Sequence, residues 1–236
     1  MSRPETQKDI EILLRHRTEM VITSVGSPAP VVPALHEAGV FVLADVATIK
    51  HAKKAIEAGV NGLVLLTAGA GGNTGWMNPF AFVRAVRAFY DGPIALAGGM
   101  SDGVALRAAR ELGVDLGYIG TKFIATQESL AEPEYKQMLV DSTMDDVLLT
   151  QAFTGMNTSF LLPSIEAAGL DPATLDHNAD VASARAQYGG SAYSDTSGPR
   201  RWKDIWSAGH SVSGVSDVPA TREIVDQTLR EFNGDI

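Results

Sequence analysis

The chain contains no cysteine, which excludes disulfides and Cys-based zinc centres. It has no excess of positive charge either. Lys and Arg number 19 against 28 Asp and Glu, a formal net charge of −9, so no basic stripe exists to displace counterions from a nucleic acid. No apolar run approaches the roughly 18 residues of a membrane-crossing helix. The first nine residues, Met1-Ser2-Arg3-Pro4-Glu5-Thr6-Gln7-Lys8-Asp9, are polar and lack the apolar region of a signal peptide. His16, His36, His51 and His177 show no metal-ligand spacing, and no metal is expected. These absences point to a cytoplasmic acidic protein that acts on small molecules, not on nucleic acid or membrane.

What is present is a rhythm. With 236 residues, 45% of them hydrophobic, the chain can bury a full-sized core. Short apolar strands are predicted at 20–24, 40–45, 62–66, 94–97 and 116–119. Helices are predicted at 5–17, 28–38, 49–58, 79–88 and 104–112, with Thr48 and the pair Ser101-Asp102 as caps. Strands that are apolar on both faces and alternate with helices belong to a buried parallel sheet built from right-handed βαβ units. Beyond residue 125 the rhythm stops. Helices are predicted at 134–140, 143–150, 163–168, 202–206 and 221–232, and the Gly/Ser/Tyr-rich stretch 188–199 reads as a lid loop. The chain is thus divided into a βα portion, 1–125, and a helical appendage, 126–236.

Three strand exits carry glycine: Ala70-Gly71-Gly72-Asn73-Thr74-Gly75, Ala97-Gly98-Gly99-Met100 and Gly120-Thr121. Residues without side-chain bulk let the backbone approach a flat ligand or an anion closely. Loops at the C-terminal ends of strands are where a (β/α) barrel holds its ligands, and the last two of them commonly bind phosphate. The backbone N–H groups of Gly98, Gly99, Met100 and Gly120, with the Thr121 hydroxyl, suit the phosphate of FMN, and Gly71 and Gly72 suit a flavin ring edge. The plainer alternative is that these glycines serve tight turns.

The same motifs carry a resemblance. The loop at 70–75, Ala97-Gly98-Gly99-Met100-Ser101-Asp102-Gly103, Leu112-Gly113-Val114-Asp115 leading to Gly120-Thr121-Lys122-Phe123, Phe153-Thr154-Gly155 and Trp206-Ser207-Ala208-Gly209 are similar to those of the nitronate monooxygenase family of FMN-dependent TIM barrels. That family includes the FMN-type enoyl-acyl-carrier-protein reductases. The resemblance implies a partial (β/α)8 barrel of about five βα units, strands 4–8, with strands 1–3 outside this chain, and hence either a homo-oligomer covering the open edge or a fragment of a longer product. It implies a flavin that takes electrons from an alkyl nitronate and passes them to oxygen. The alternatives are reduction of an enoyl thioester with NAD(P)H, or a non-catalytic flavoprotein. Members place a His at the position of Asn73, where an amide can hold a nitro or carbonyl oxygen but does not titrate near neutral pH. Asn73 and His210 are therefore the implied catalytic residues. Lys122, Asp45, Trp202 and Trp206 stay open between ligand contact and ordinary structural duty.

Overall fold

The computed structural model of the chain describes residues 6–189 and 198–235. In chain order its elements are α1 (Thr6–Arg15), β1 (Met20–Thr23), α2 (Val32–Glu37), β2 (Phe41–Val46), α3 (Ile49–Glu57), β3 (Gly62–Leu66), β4 (Gly72–Asn73), α4 (Pro79–Arg87), β5 (Ile94–Ala97), α5 (Gly103–Glu111) and β6 (Leu116–Tyr118). There follow α6 (Thr121–Ile124), α7 (Pro133–Asp141), β7 (Val147–Thr150), β8 (Thr158–Leu161), α8 (Leu162–Ala167), α9 (Val181–Tyr188) and α10 (Thr221–Asn233). The chain divides into two compact units that interleave in sequence. One comprises 1–67, 77–97 and 109–118; the other comprises 68–76, 98–108 and 119–236.

The first unit holds a five-stranded sheet in the order β1-β2-β3-β5-β6. Every pairing in it is parallel, and spatial order follows chain order without the reversal of a doubly wound sheet. Leu63, Val64, Leu65 and Ile94 are fully buried, as the apolar runs require. Helix starts obey their local chemistry. The Thr48 hydroxyl accepts from His51 N–H ahead of α3, and the Asn78 side chain accepts from Phe80 and Ala81 N–H ahead of α4, which begins with Pro79. α2 is shorter than the predicted 28–38 because Pro28 to Val31 forms a separate turn, closed by Val31 N–H to the Pro28 carbonyl at 3.0 Å. Among the described residues each outer strand has one partner, and both outer strands expose apolar side chains: Met20 and Ile22 on β1, Leu116 and Tyr118 on β6.

The second unit corrects the expectation of a purely helical appendage. Residues 147–150, predicted as helix, form β7, which pairs antiparallel with β8; β4 adds a third strand from far upstream, with Gly72 opposite Ser159 and Asn73 opposite Thr158. The helix-start signal was real but short. Thr143 and Asp146 cap each other across a single 3-10 turn, 144–146, after which Val147-Leu148-Leu149-Thr150 is released to pair. Residues 202–206 also form no helix, since Trp202 takes a φ of +71° and Arg201 bridges to Ile205. Two apolar clusters hold this unit, one around Leu139, Leu161 and Val212, the other around Phe153, Phe160 and Ile205. Most of the predicted lid loop, 190–197, lies outside the described residues.

Candidate functional site

All nine site residues predicted from sequence fall in the second unit. Their arrangement starts with backbone meeting backbone. A Cβ on Gly71 would stand 2.7 Å from Gly209 N and 3.2 Å from Thr121 Oγ1, and a Cβ on Gly209 would stand 2.4 Å from the Gly69 carbonyl. Glycine at 71 and 209 is thus required by the approach of 69–71 to 208–210. The Thr121 hydroxyl oxygen, buried, accepts from Gly209 N–H at 3.0 Å, which leaves its own proton to donate. His210 opens the 3-10 turn His210–Gly214. Its N–H donates to the Gly69 carbonyl at 2.9 Å, and its exposed imidazole lies over the Cα of Gly69, filling the space of a side chain there.

The segment that delivers Gly209 and His210 is itself fixed. Tyr135 stacks on Trp206 with centroids 4.9 Å apart, and its hydroxyl donates to the Ser207 carbonyl. Burial pushes the Tyr135 phenol above its ordinary range, against the lowering effect of the Ser207 hydrogen bonds, so it remains a donor.

Asn73 is held by β8. The Thr158 hydroxyl, fully buried, donates to Asn73 Oδ1 at 3.0 Å and lies 2.7 Å from the Thr154 hydroxyl. The Thr158 contact uses one lone pair of Oδ1 and orients the amide, whose NH2 is then a candidate donor to a ligand. Thr158 was missed in the sequence; Thr154 was seen only as part of Phe153-Thr154-Gly155. The glycine of that motif has its own explanation: a Cβ on Gly155, φ +71°, would stand 2.2 Å from the Val181 backbone at the start of α9.

Gly98 and Gly99 turn through φ +125° and +71°, ahead of buried Met100. Among the described residues nothing lies within 4 Å of where a Cβ would stand on Gly99 or on Gly120. These two turns are open on that side. The Lys122 ammonium, which donates to the Ser101 carbonyl at 2.9 Å, ties the 98–103 turn to the 120–122 turn and has two donors to spare. The start of α5, in contrast, is already supplied with negative charge. Asp102, not Ser101, is its cap, accepting from Ala105 N–H at 2.7 Å, and Glu231 of α10 accepts from Gly103 N–H at 2.8 Å. An anion is therefore favoured at the turns and not on the helix end. Backbone donors, a hydroxyl proton and an ammonium beside two open glycines are the chemistry a phosphate needs.

Two of the other histidines have structural duties. His177 bonds Thr150 Oγ1 and the Pro172 carbonyl, and His36 bonds Asn61. Among the described residues no group of three or more His, Asp or Glu side chains is arranged to hold a metal ion, and no helix is long and apolar enough to cross a membrane.

The model of the nitronate monooxygenase family matches residues 2–227. A nitronate monooxygenase from Paraburkholderia phytofirmans is 27% identical over 237 residues, covering 96% of this chain and 64% of its own. The (3aS,4S,5R,7aS)-5-hydroxy-7a-methyl-1-oxo-octahydro-1H-indene-4-carboxyl-CoA dehydrogenase of Rhodococcus jostii is 28% identical over 165 residues, 68% of this chain and 46% of its own. The chain thus spans less than two thirds of the length of these curated relatives. Among solved structures, FabK from Thermotoga maritima superposes with a TM-score of 0.76 at 20% identity, covering all of this chain and 74% of the other, a likeness of fold.

Proposed function

Since the chain belongs to the nitronate monooxygenase family, we propose that it is an FMN-dependent oxidoreductase that oxidises alkyl nitronates with oxygen. The observation that carries this reading is the pair of open glycine turns at Gly99 and Gly120, linked through Lys122 and Ser101. Gly98, Gly99, Met100, Gly120 and Thr121 would hold the phosphate of the cofactor, and Gly71 and Gly72 would border its ring. Bound FMN supplies the acceptance of electrons from the substrate and their transfer to oxygen.

This chain's own residues orient and exclude. Asn73, its carbonyl end fixed by Thr158, offers its NH2 to an oxygen of the nitro group. A nitronate arrives already deprotonated, so an amide that does not titrate is sufficient at this position. His210, its exposed ring seated on Gly69, is the predicted site residue whose ring nitrogens would hydrogen-bond the product.

A second reading has one observation in its favour. The Rhodococcus relative is named for a CoA thioester, and a carbonyl oxygen would take the Asn73 amide as readily as a nitro oxygen. Oxygen uptake with alkyl nitronates, measured against NAD(P)H oxidation with an enoyl thioester, separates the two. The cofactor is tested first. Titration with FMN should give a bound flavin spectrum, and Gly99→Val, which fills the open cradle at a positive φ, should weaken FMN binding about ten-fold, or roughly 1.4 kcal/mol. Unchanged binding in that variant would move the phosphate elsewhere.

A further inference from the structure

Trp202 is held in an expensive way for a residue that merely packs. Its φ of +71° lies in the left-handed region that side chains other than Gly, Asn and Asp rarely adopt. The strained backbone places the indole deliberately. One face lies on Phe160 of β8, centroids 5.4 Å apart and planes tilted by 31°. The edge of its six-membered ring, Cη2 and Cζ3, comes 3.9 and 4.0 Å from the Cβ position of Gly72, the residue before Asn73. Despite both neighbours, 39% of Trp202 stays exposed. A tryptophan kept only for packing sits where the backbone accepts it; this one does not.

We propose that Trp202 is a specificity-determining residue: the exposed part of its indole is the wall against which the carbon skeleton of the substrate lies while Asn73 holds the polar head. The inference rests on the function proposed above and narrows its substrate class. An amide beside a large flat apolar surface selects a molecule with one nitro (or carbonyl) group and an extended or cyclic apolar body, and disfavours short nitronates that carry a second charge. Gly72 belongs to the same arrangement, since any side chain at its φ of +68° would be strained and would meet the ring edge.

The test uses the full chain with FMN and three versions: unaltered, Trp202→Phe and Trp202→Gly. Glycine accepts the backbone conformation without strain, so the second variant removes the ring while relieving the turn; its thermal melt verifies folding. Linear nitronates from ethyl to hexyl are compared by steady-state kinetics, and the matching neutral nitroalkanes, which quench indole fluorescence on contact, are titrated as binding probes. In the unaltered chain KM and the quenching constant should each fall about two- to four-fold per added methylene. Trp202→Gly should flatten that dependence and remove the saturable part of the quenching, with Trp202→Phe intermediate. Equal chain-length dependence in all three overturns the proposal while leaving nitronate oxidation standing. Absence of nitronate turnover in the unaltered chain, with saturable quenching that deepens with chain length and vanishes in Trp202→Gly, overturns the proposed reaction and upholds the wall. Linear, unsaturated quenching that is the same in every version overturns the wall.

Discussion

Thr121 shows how one side chain can serve structure and ligand at once. Its oxygen is the acceptor of the buried Gly209 N–H, so Thr121→Val strands a donor away from water, at a cost of about 1–3 kcal/mol. Thr121→Ser keeps the acceptor and should restore most of that loss; urea melts of the two variants check the difference. From the sequence Thr121 reads as a donor to an anion, and its second duty was invisible because Gly209 lies 88 residues away. Asp45, at the end of β2, is a residue whose sequence context left two roles open. Burial raises its carboxyl above the ordinary value, against the lowering influence of the Ser24 hydroxyl, the Val25 backbone and His51. A raised carboxylate pKa in the fold penalises the charged form. The penalty is absent below the unfolded value of about 3.9, grows as pH rises through the folded value, and is constant above it. Asp45→Asn should therefore raise the melting temperature at pH 7, with the gain vanishing by about pH 3.5. A gain that persists unchanged in acid would assign the effect to something other than charge.

Elements were legible where their signals are local. The five parallel strands, Thr48 at the start of α3, Pro79 at the start of α4 and the span of α10 all follow from apolar runs and caps within a few residues. The antiparallel sheet was not legible. Gly72-Asn73 has no strand propensity, and its partner Thr158 lies 85 residues downstream, so only tertiary pairing makes it a strand. The joint between α4 and the five-stranded sheet is another long-range device that composition does not reveal. Arg87 donates to the carbonyls of Gly113, Tyr90 and Gly92, and to Asp115 at 2.6 Å, while the same Asp115 oxygen accepts from Ile94 N–H at 2.8 Å. Arg87 is largely buried and Asp115 half-exposed, so the ion pair itself is worth little in water; the three carbonyls carry the effect. Arg87→Met should cost about 2–3 kcal/mol, and Arg87→Lys should recover little of it, because an ammonium cannot span a fork of carbonyls. Chemical denaturation reads both.

At the scale of the molecule, the first unit leaves β1 and β6 with one partner each among the described residues and with Met20, Ile22, Leu116 and Tyr118 exposed along them. Apolar edge strands of this kind associate unless covered. The expected outcome is self-association, seen by light scattering as a mass above the 25.0 kDa of one chain; a monomer with a single cooperative melt would refute it. The interleaving of the two units also sets a clock. A ribosome adds about 5–20 residues per second, so Gly72 and Asn73 emerge roughly 4–17 s before Thr158, the residue that fixes the Asn73 amide. Gly71 waits still longer for Gly209. The five parallel strands, up to residue 118, are all synthesised before β7 and β8. The glycine loops are thus made early and organised late, and a nascent chain stalled before residue 158 should leave Asn73 without the hydroxyl that orients it. Ligand capture then becomes a late event in the life of the chain, and a cofactor added after release should bind as well as one present throughout translation.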